Sequence, residues 1–168
     1  MPAEVSAAEP TVVVPIGELA VLRGQGLLMA IGLGSCVGVG LYDPVARVAG
    51  LAHVFLPTSR DGVAQRQSPA RFADRGVAAL VEAMRAHGAV PRRLVAKLAG
   101  GAQLFLRAEA TGLDIGRRNV EAVLKALREM GVPVVGQDTG GHHGRTMKLH
   151  VSSGRVQVCS MGQPVKEL

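Results

Sequence analysis

Gly32-Leu33-Gly34-Ser35-Cys36-Val37-Gly38-Val39-Gly40-Leu41-Tyr42-Asp43-Pro44, followed by Val48-Ala49-Gly50-Leu51-Ala52-His53-Val54-Phe55-Leu56-Pro57, is the stretch around which the rest of the chain is arranged. From Val37 to Tyr42 glycine recurs at every second place, which predicts a strand with one bare face that something else approaches closely. Asp43-Pro44 turns the chain, and Arg47 to Leu56 reads as the next strand. Two strands joined by that turn bring Cys36, at the head of the first, towards His53, inside the second. A thiol beside an imidazole, with free backbone N–H groups nearby, is the minimal equipment for cysteine-based acyl transfer.

Working outward, Val12–Val14, Glu18–Leu22 and Gly26–Ile31 read as short strands, the last two as a hairpin across Arg23-Gly24-Gln25. Residues 1–11 read as a disordered leader and 12–168 as one domain. Thr58 to Gln67 is polar and aperiodic, a surface loop and candidate flap. Ser68 as N-cap and Pro69 at the first helical position predict a helix whose apolar stripe is Phe72, Val77, Leu80, Val81 and Met84, stopped by Gly88. Leu94–Leu98 is a strand running into Gly100-Gly101-Ala102. A second helix spans Arg117 to Met130, and Val132–Val135 is again strand-like. Asp138 to Gly144 reads as a loop rich in Gly and His. Met147, Leu149 and Val151 alternate with polar residues, and Ser153-Gly154 turns the chain into Val156–Cys159. This order lacks the βαβα rhythm of a doubly wound fold. It predicts an α+β protein of layered mixed or antiparallel sheets, with two main helices packed outside and the active loop at one edge.

At 168 residues the chain can bury a core without disulfides or metal. Hydrophobic residues make up 48% but aromatics only 2%, so that core is built from Val, Leu, Ala and Met. The net charge of +6 is spread along the chain, and with so few rings to stack on bases a nucleic-acid partner is not expected. Cys36 and Cys159 form neither a CxxC pair nor a zinc spacing, which suits a reducing compartment. No run reaches the ~20 apolar residues of a membrane span, and the start lacks the pattern of a signal peptide. The expectation is a cytoplasmic protein without membrane insertion.

Each candidate residue carries two readings. Cys36 is either a small buried hydrophobe or a nucleophile, and its neighbours Gly34, Ser35 and Gly38, poor core fillers, favour N–H groups that hold an oxyanion. His53 is either a satisfied core histidine or the base that takes the thiol proton. Cys159, in an alternating strand, reads as structural, so Cys36 is expected to be the more reactive thiol. Gly32-Leu33-Gly34-Ser35-Cys36-Val37 fails as a dinucleotide fingerprint, since Val37 replaces the third glycine and a strand follows where a helix is needed. His142, His143 and His150 lack ligand spacing, so no metal and no cofactor are expected. Thr139 and Gly140 are read as groove-lining. Gly100-Gly101-Ala102 and Phe105 are read as a turn or a contact surface, and the Arg117, Arg118, Glu121 and Lys125 face as solvated.

Taken together and in order, Gly-Leu-Gly-Ser-Cys36-Val, Asp43-Pro44, Ala52-His53-Val54 with Leu56-Pro57, Ala99-Gly100-Gly101-Ala102, Ile115-Gly116-Arg117-Arg118-Asn119 and Asp138-Thr139-Gly140-Gly141 resemble the CheD chemoreceptor glutamine deamidases. The resemblance implies a layered cysteine-hydrolase fold related to toxin deamidases. It also implies conversion of glutamine side chains on methyl-accepting chemotaxis receptors to glutamate with release of ammonia, Cys36 as nucleophile and His53 as base. Binding of a CheC-type phosphatase follows from the same likeness, and the same nucleophile could hydrolyse a glutamyl methyl ester, a minor methylesterase activity. The family's third catalytic residue is a threonine six places before the cysteine, where this chain has Ala30. Either Ser35 or a backbone carbonyl then orients His53. The alternative from another class is a non-catalytic chemotaxis adaptor with an idle thiol.

Overall fold

In the computed structural model, which describes residues 8–59, 66–104 and 114–168, the glycine-alternating strand is central. Among the described residues ten strands and two helices follow in order: β1 (Thr11–Val13), β2 (Leu19–Arg23), β3 (Leu27–Leu33), β4 (Val37–Asp43), β5 (Val48–Val54), α1 (Ala73–Ala86), β6 (Val95–Gly100), α2 (Ile115–Glu129), β7 (Val134–Thr139), β8 (Arg145–His150), β9 (Val156–Cys159) and β10 (Lys166–Glu167). Short 3₁₀ turns at Pro69–Arg71 and Pro91–Arg93 precede α1 and β6. One mixed sheet has the order β2-β5-β4-β6-β7 and the other β1-β3-β8-β9-β10. The architecture is the α+β arrangement the sequence predicts.

The layering follows from period-2 alternation in β4 and β5. Val37, Val39 and Leu41 point to the helices, where they pack with Val77, Leu80 and Met84 of α1 and Val123 and Leu127 of α2. The opposite face meets the second sheet through Leu28, Leu33, Leu51, Met147 and Leu149. A side chain at Gly38 would lie 2.8 Å from Met147 Sδ, and one at Gly40 2.9 Å from Met147 Cε. The bare glycine face therefore exists to let the second sheet close on the first, as the alternation predicts.

Several local readings are corrected. β2 and β3 do not form a hairpin, because they enter different sheets. The Cys36 loop is not at a sheet edge: it feeds β4, the middle strand of its sheet. Ser68 makes no side-chain cap, and Ser68-Pro69 opens a 3₁₀ turn; α1 starts only after extended Phe72. That turn is sewn to the end of β5, with Phe55 N and Leu56 N both donating to Arg71 O, at 3.0 and 2.9 Å. Asp138 and Thr139 end β7 rather than lying in a loop, because β7 pairs in parallel with β6 as far as Thr139. Thr11 is already strand, and Pro10 O accepts from Leu27 N, so order begins inside the expected leader; residues 1–7 lie outside the described residues. Most of the expected flap and Phe105 also lie outside them.

Candidate active site

β4 and β5 pair antiparallel with Val37 opposite Val54 and Gly38 opposite His53. Residues two apart share a face, so Cys36 and His53 stand on the same side of the sheet as diagonal neighbours, roughly 7 Å apart by backbone. That side is the one between the sheets. Both residues are buried, Cys36 at 5% and His53 at 1% exposure. The two strands thus bring Cys36 and His53 together, as expected from the turn between them, and the ladder register is the reason.

His53 is gripped by the connection between β1 and β2. Its backbone donates to Glu18 O and accepts from Gly17 N, at 3.0 and 2.8 Å, and its ring Nδ1 lies 3.0 Å from Val14 O. A carbonyl only accepts, so Nδ1 carries the proton and the lone pair of the neutral ring is on Nε2. Nε2 is buried and has no hydrogen-bond partner among the described residues. It is a free base atom between the sheets. Of the two alternatives for orienting the ring, a backbone carbonyl, that of Val14, is the one in contact. Burial depresses the imidazole pKa, and the Val14 hydrogen bond partly opposes that. Burial likewise raises the Cys36 thiol, opposed by its own backbone N–H and by the Arg71 charge. Both displacements favour the neutral forms, a thiol and an imidazole, and Cys159, half-exposed in β9, is the more accessible sulfur.

The loop ahead of Cys36 is held along its whole length. Ala102 N donates to Gly34 O and Gly101 N to Cys36 O, both at 2.8 Å. Between them, Asn119 Nδ2 reaches Ser35 O at 2.9 Å. Gly100, at φ 109°, could carry no side chain, because a Cβ there would collide with Cys36 O. Gly116 at the start of α2 faces the same loop, a Cβ there lying 2.6 Å from Gly101 O. These glycine contacts press the first turn of α2 against Gly101-Ala102, and Asn119, one turn further, becomes fully buried. Gly38, expected in the oxyanion loop, belongs instead to the β4 ladder opposite His53 and Ala99.

Two further residues escaped the sequence reading. Arg71 lies over the Phe55 ring at 4.6 Å, and its Nε is buried without a partner among the described residues. The β4–β5 register, continued by one step, sets Phe55 across from Cys36, and the Arg71 charge acts on the thiol, opposing the rise that burial causes. The second is Asn119. In sequence it is one polar residue in a run of charged ones, and only the helical period placing it on the buried face with Val123 could have marked it.

Thr139 and Gly140 line a cavity of about 410 Å³ with Gly101, Gln103, Arg117 and His142. Neither Cys36 nor His53 lines it, so it lies across β6 from the Cys36–His53 pair. His142 Nδ1 is 2.9 Å from Gln103 O and His150 Nε2 is 2.9 Å from Gln157 Oε1. Among the described residues no helix is long and apolar enough to cross a membrane.

The chain matches the family model described as CheD chemotactic sensory transduction over residues 55–160. It is 44% identical to the probable chemoreceptor glutamine deamidase CheD of Caldanaerobacter subterraneus subsp. tengcongensis, over 91% of this chain and 94% of the relative. The chain belongs to the CheD family. The chemoreceptor glutamine deamidase CheD of Thermotoga maritima is 43% identical over 89% of this chain and 92% of its own. A probable CheD of Archaeoglobus fulgidus is 46% identical, over 88% and 91%. Cys36 and His53 precede the span of the CheD family model, but the relatives' coverage leaves too few residues unmatched for either to fall outside it.

Proposed function

We propose that this chain deamidates glutamine side chains of methyl-accepting chemotaxis receptors, with Cys36 as nucleophile and His53 as base. The observation that carries the reading is His53 itself, with Nδ1 tied to Val14 O and an unpartnered Nε2 on the face it shares with Cys36. As Cys36 Sγ attacks the carboxamide carbon, its proton passes to Nε2. The carbonyl oxygen becomes an oxyanion facing the N–H groups of the Gly34-Ser35-Cys36 loop. The imidazolium then gives its proton to the departing ammonia, leaving a thioester. Neutral again, His53 draws a proton from water, which cleaves the thioester to glutamate and frees the thiol. Water is the only cosubstrate, and no cofactor or metal takes part. A methyl ester offers the same carbonyl to the same thiol, so a minor glutamyl methylesterase activity belongs to the proposal.

The compartment of this reading is the cytoplasm, and a CheC-type phosphatase is a second protein partner, tested by co-purification. The test of the main reading is incubation with the cytoplasmic fragment of a chemoreceptor, followed by peptide mass spectrometry. Conversion of specific glutamines to glutamate, abolished by Cys36→Ala, is expected. Binding of the fragment without conversion would make the chain the non-catalytic adaptor instead.

A further inference from the structure

We propose that Asn119 is a positioning residue for the oxyanion-binding amide of the Cys36 loop; this rests on the deamidase reading for its role, though not for its geometry. Asn119 donates both hydrogens of one amide nitrogen, to Ser35 O at 2.9 Å and to Phe55 O at 3.0 Å. The first acceptor immediately precedes the nucleophile and the second lies two residues beyond His53. One side chain on α2 therefore ties together the ends of the two strands that carry the reacting groups.

The consequence for chemistry comes from the planarity of the peptide. In a trans peptide the carbonyl and the following N–H point in opposite directions. Pulling Ser35 O towards α2 therefore aims Cys36 N–H the other way. With Gly34 O held by Ala102 N and Cys36 O by Gly101 N, the three successive carbonyls of Gly34-Ser35-Cys36 are all drawn off by donors. The freed Cys36 N–H donates to no other backbone carbonyl among the described residues, and it acts on its own thiol, favouring the thiolate. An N–H fixed beside the attacking sulfur is where the oxygen of a tetrahedral adduct needs a donor.

Asn119 Oδ1 marks the residue as more than glue, since it is buried with no hydrogen-bond partner among the described residues. Turning the amide over would set that oxygen against two carbonyls, so the two acceptors fix the side chain's orientation. An apolar residue would leave no such orphan, but it would also leave Ser35 O and Phe55 O without the two donors that a neutral amide supplies from one nitrogen.

The experiment is Asn119→Ala, read by the pH profile of Cys36 alkylation with iodoacetamide and by deamidation kinetics, with Cys159 as internal control. Loss of the aimed N–H moves the Cys36 profile to higher pH, leaves the Cys159 rate unchanged, and lowers kcat about 100-fold or more with KM within about twofold. A merely structural role would loosen the site, expose the sulfur and move the Cys36 profile to lower pH. That outcome, or no movement, overturns the proposal. Should the variant not fold, amide NMR of the unaltered protein decides. The Cys36 amide proton must shift as the thiol titrates and both Asn119 side-chain protons must exchange slowly; a Cys36 amide blind to the titration overturns it. Alkylation and NMR need no receptor, so a chain that deamidates nothing yet passes these tests would sink the deamidase reading alone.

Discussion

His53 faces Gly38 across the β4–β5 ladder, and because Gly38 and Gly40 have no side chains the imidazole meets on β4 only Cys36, on one diagonal. That relation defines what the pair can do and at what pH.

Both pKa displacements widen the range over which the neutral pair persists. Burial pushes the imidazole below its ordinary value of about 6.5 and the thiol above about 8.5. Protonating His53 stops catalysis on the acid side, and ionising Cys36 removes the proton destined for ammonia on the alkaline side. The expected kcat/KM profile is a plateau that drops on the acid side only below about pH 6.5 and on the alkaline side only above about pH 8.5. Cys36→Ala lowers kcat by at least about 10³-fold, and His53→Gln by about 10²- to 10⁴-fold. A narrow bell centred on pH 7 would contradict the neutral pair.

Ala30 stands where the family resemblance expects a threonine. It is fully buried, and its Cβ lies 3.8 Å from where a Gly38 side chain would begin. Val14 O already takes the Nδ1 proton, so a hydroxyl at position 30 has no vacant role in orienting the ring. Ala30→Thr is therefore expected to change kcat by less than about threefold while costing about 1–3 kcal/mol of stability through overpacking. Steady-state deamidation and urea denaturation measure the two.

Glycines at the two interfaces of the site differ in what they meet. A methyl at Gly38 strikes the end of a flexible methionine, Met147 Sδ, at 2.8 Å, whereas one at Gly116 strikes backbone oxygens of Gly101 and Ala102. Gly38→Ala is expected to fold with a loss of about 1–3 kcal/mol, eased by shortening Met147 in the double variant Gly38→Ala/Met147→Val. Gly116→Ala has no such relief. It shifts α2 off the Gly101-Ala102 loop, and deamidase activity falls even where circular dichroism shows helix retained.

Far from the site, at the other end of β4, Asp43 is fully buried. It accepts from Val45 N, Ala46 N, Val90 N and the Arg93 guanidinium, the last at 2.8 Å. These donors hold its carboxyl well below the ordinary carboxylate range. A depressed carboxylate stabilises the fold above its unfolded pKa of about 3.9, and that stability is lost as pH falls through the folded value. His53, a base depressed by burial, acts earlier, since the unfolded chain binds its proton first below about pH 6.5. Thermal unfolding against pH should fall in two stages, and Asp43→Ala should cost about 3–5 kcal/mol at pH 7 by leaving Arg93 and three amides without their acceptor. Deamidase activity at low temperature should survive, because Asp43 touches none of the reacting groups.

The closeness of Cys36 and His53 was legible in the sequence because a period-2 strand pair carries its own geometry. Alternating glycines announced a close approach, and the turn at Asp43-Pro44 set the register that makes Cys36 and His53 neighbours. What was hidden depends on partners distant in the chain. Nothing in Val14 marks it as the acceptor for His53, and Asn119 is 84 residues from the serine it holds. The separation of β2 from β3 was misread because a short Gly-containing link is compatible with a hairpin, and only burial of both faces of β5 by its neighbours decides otherwise. The starting point of α1 was misread because Ser-Pro suits any first turn, α or 3₁₀.

The hydrogen bond from His53 to Val14 O crosses from one sheet to the other, and its acceptor hangs from β1, a three-residue edge strand paired only with β3. Peeling that short strand would let the imidazole swap its proton between nitrogens while every other layer stayed folded. On the proposed mechanism the chain's competence as a catalyst is thus hostage to a lightly moored strand, and loosening it would switch the base off without disturbing the cysteine at all.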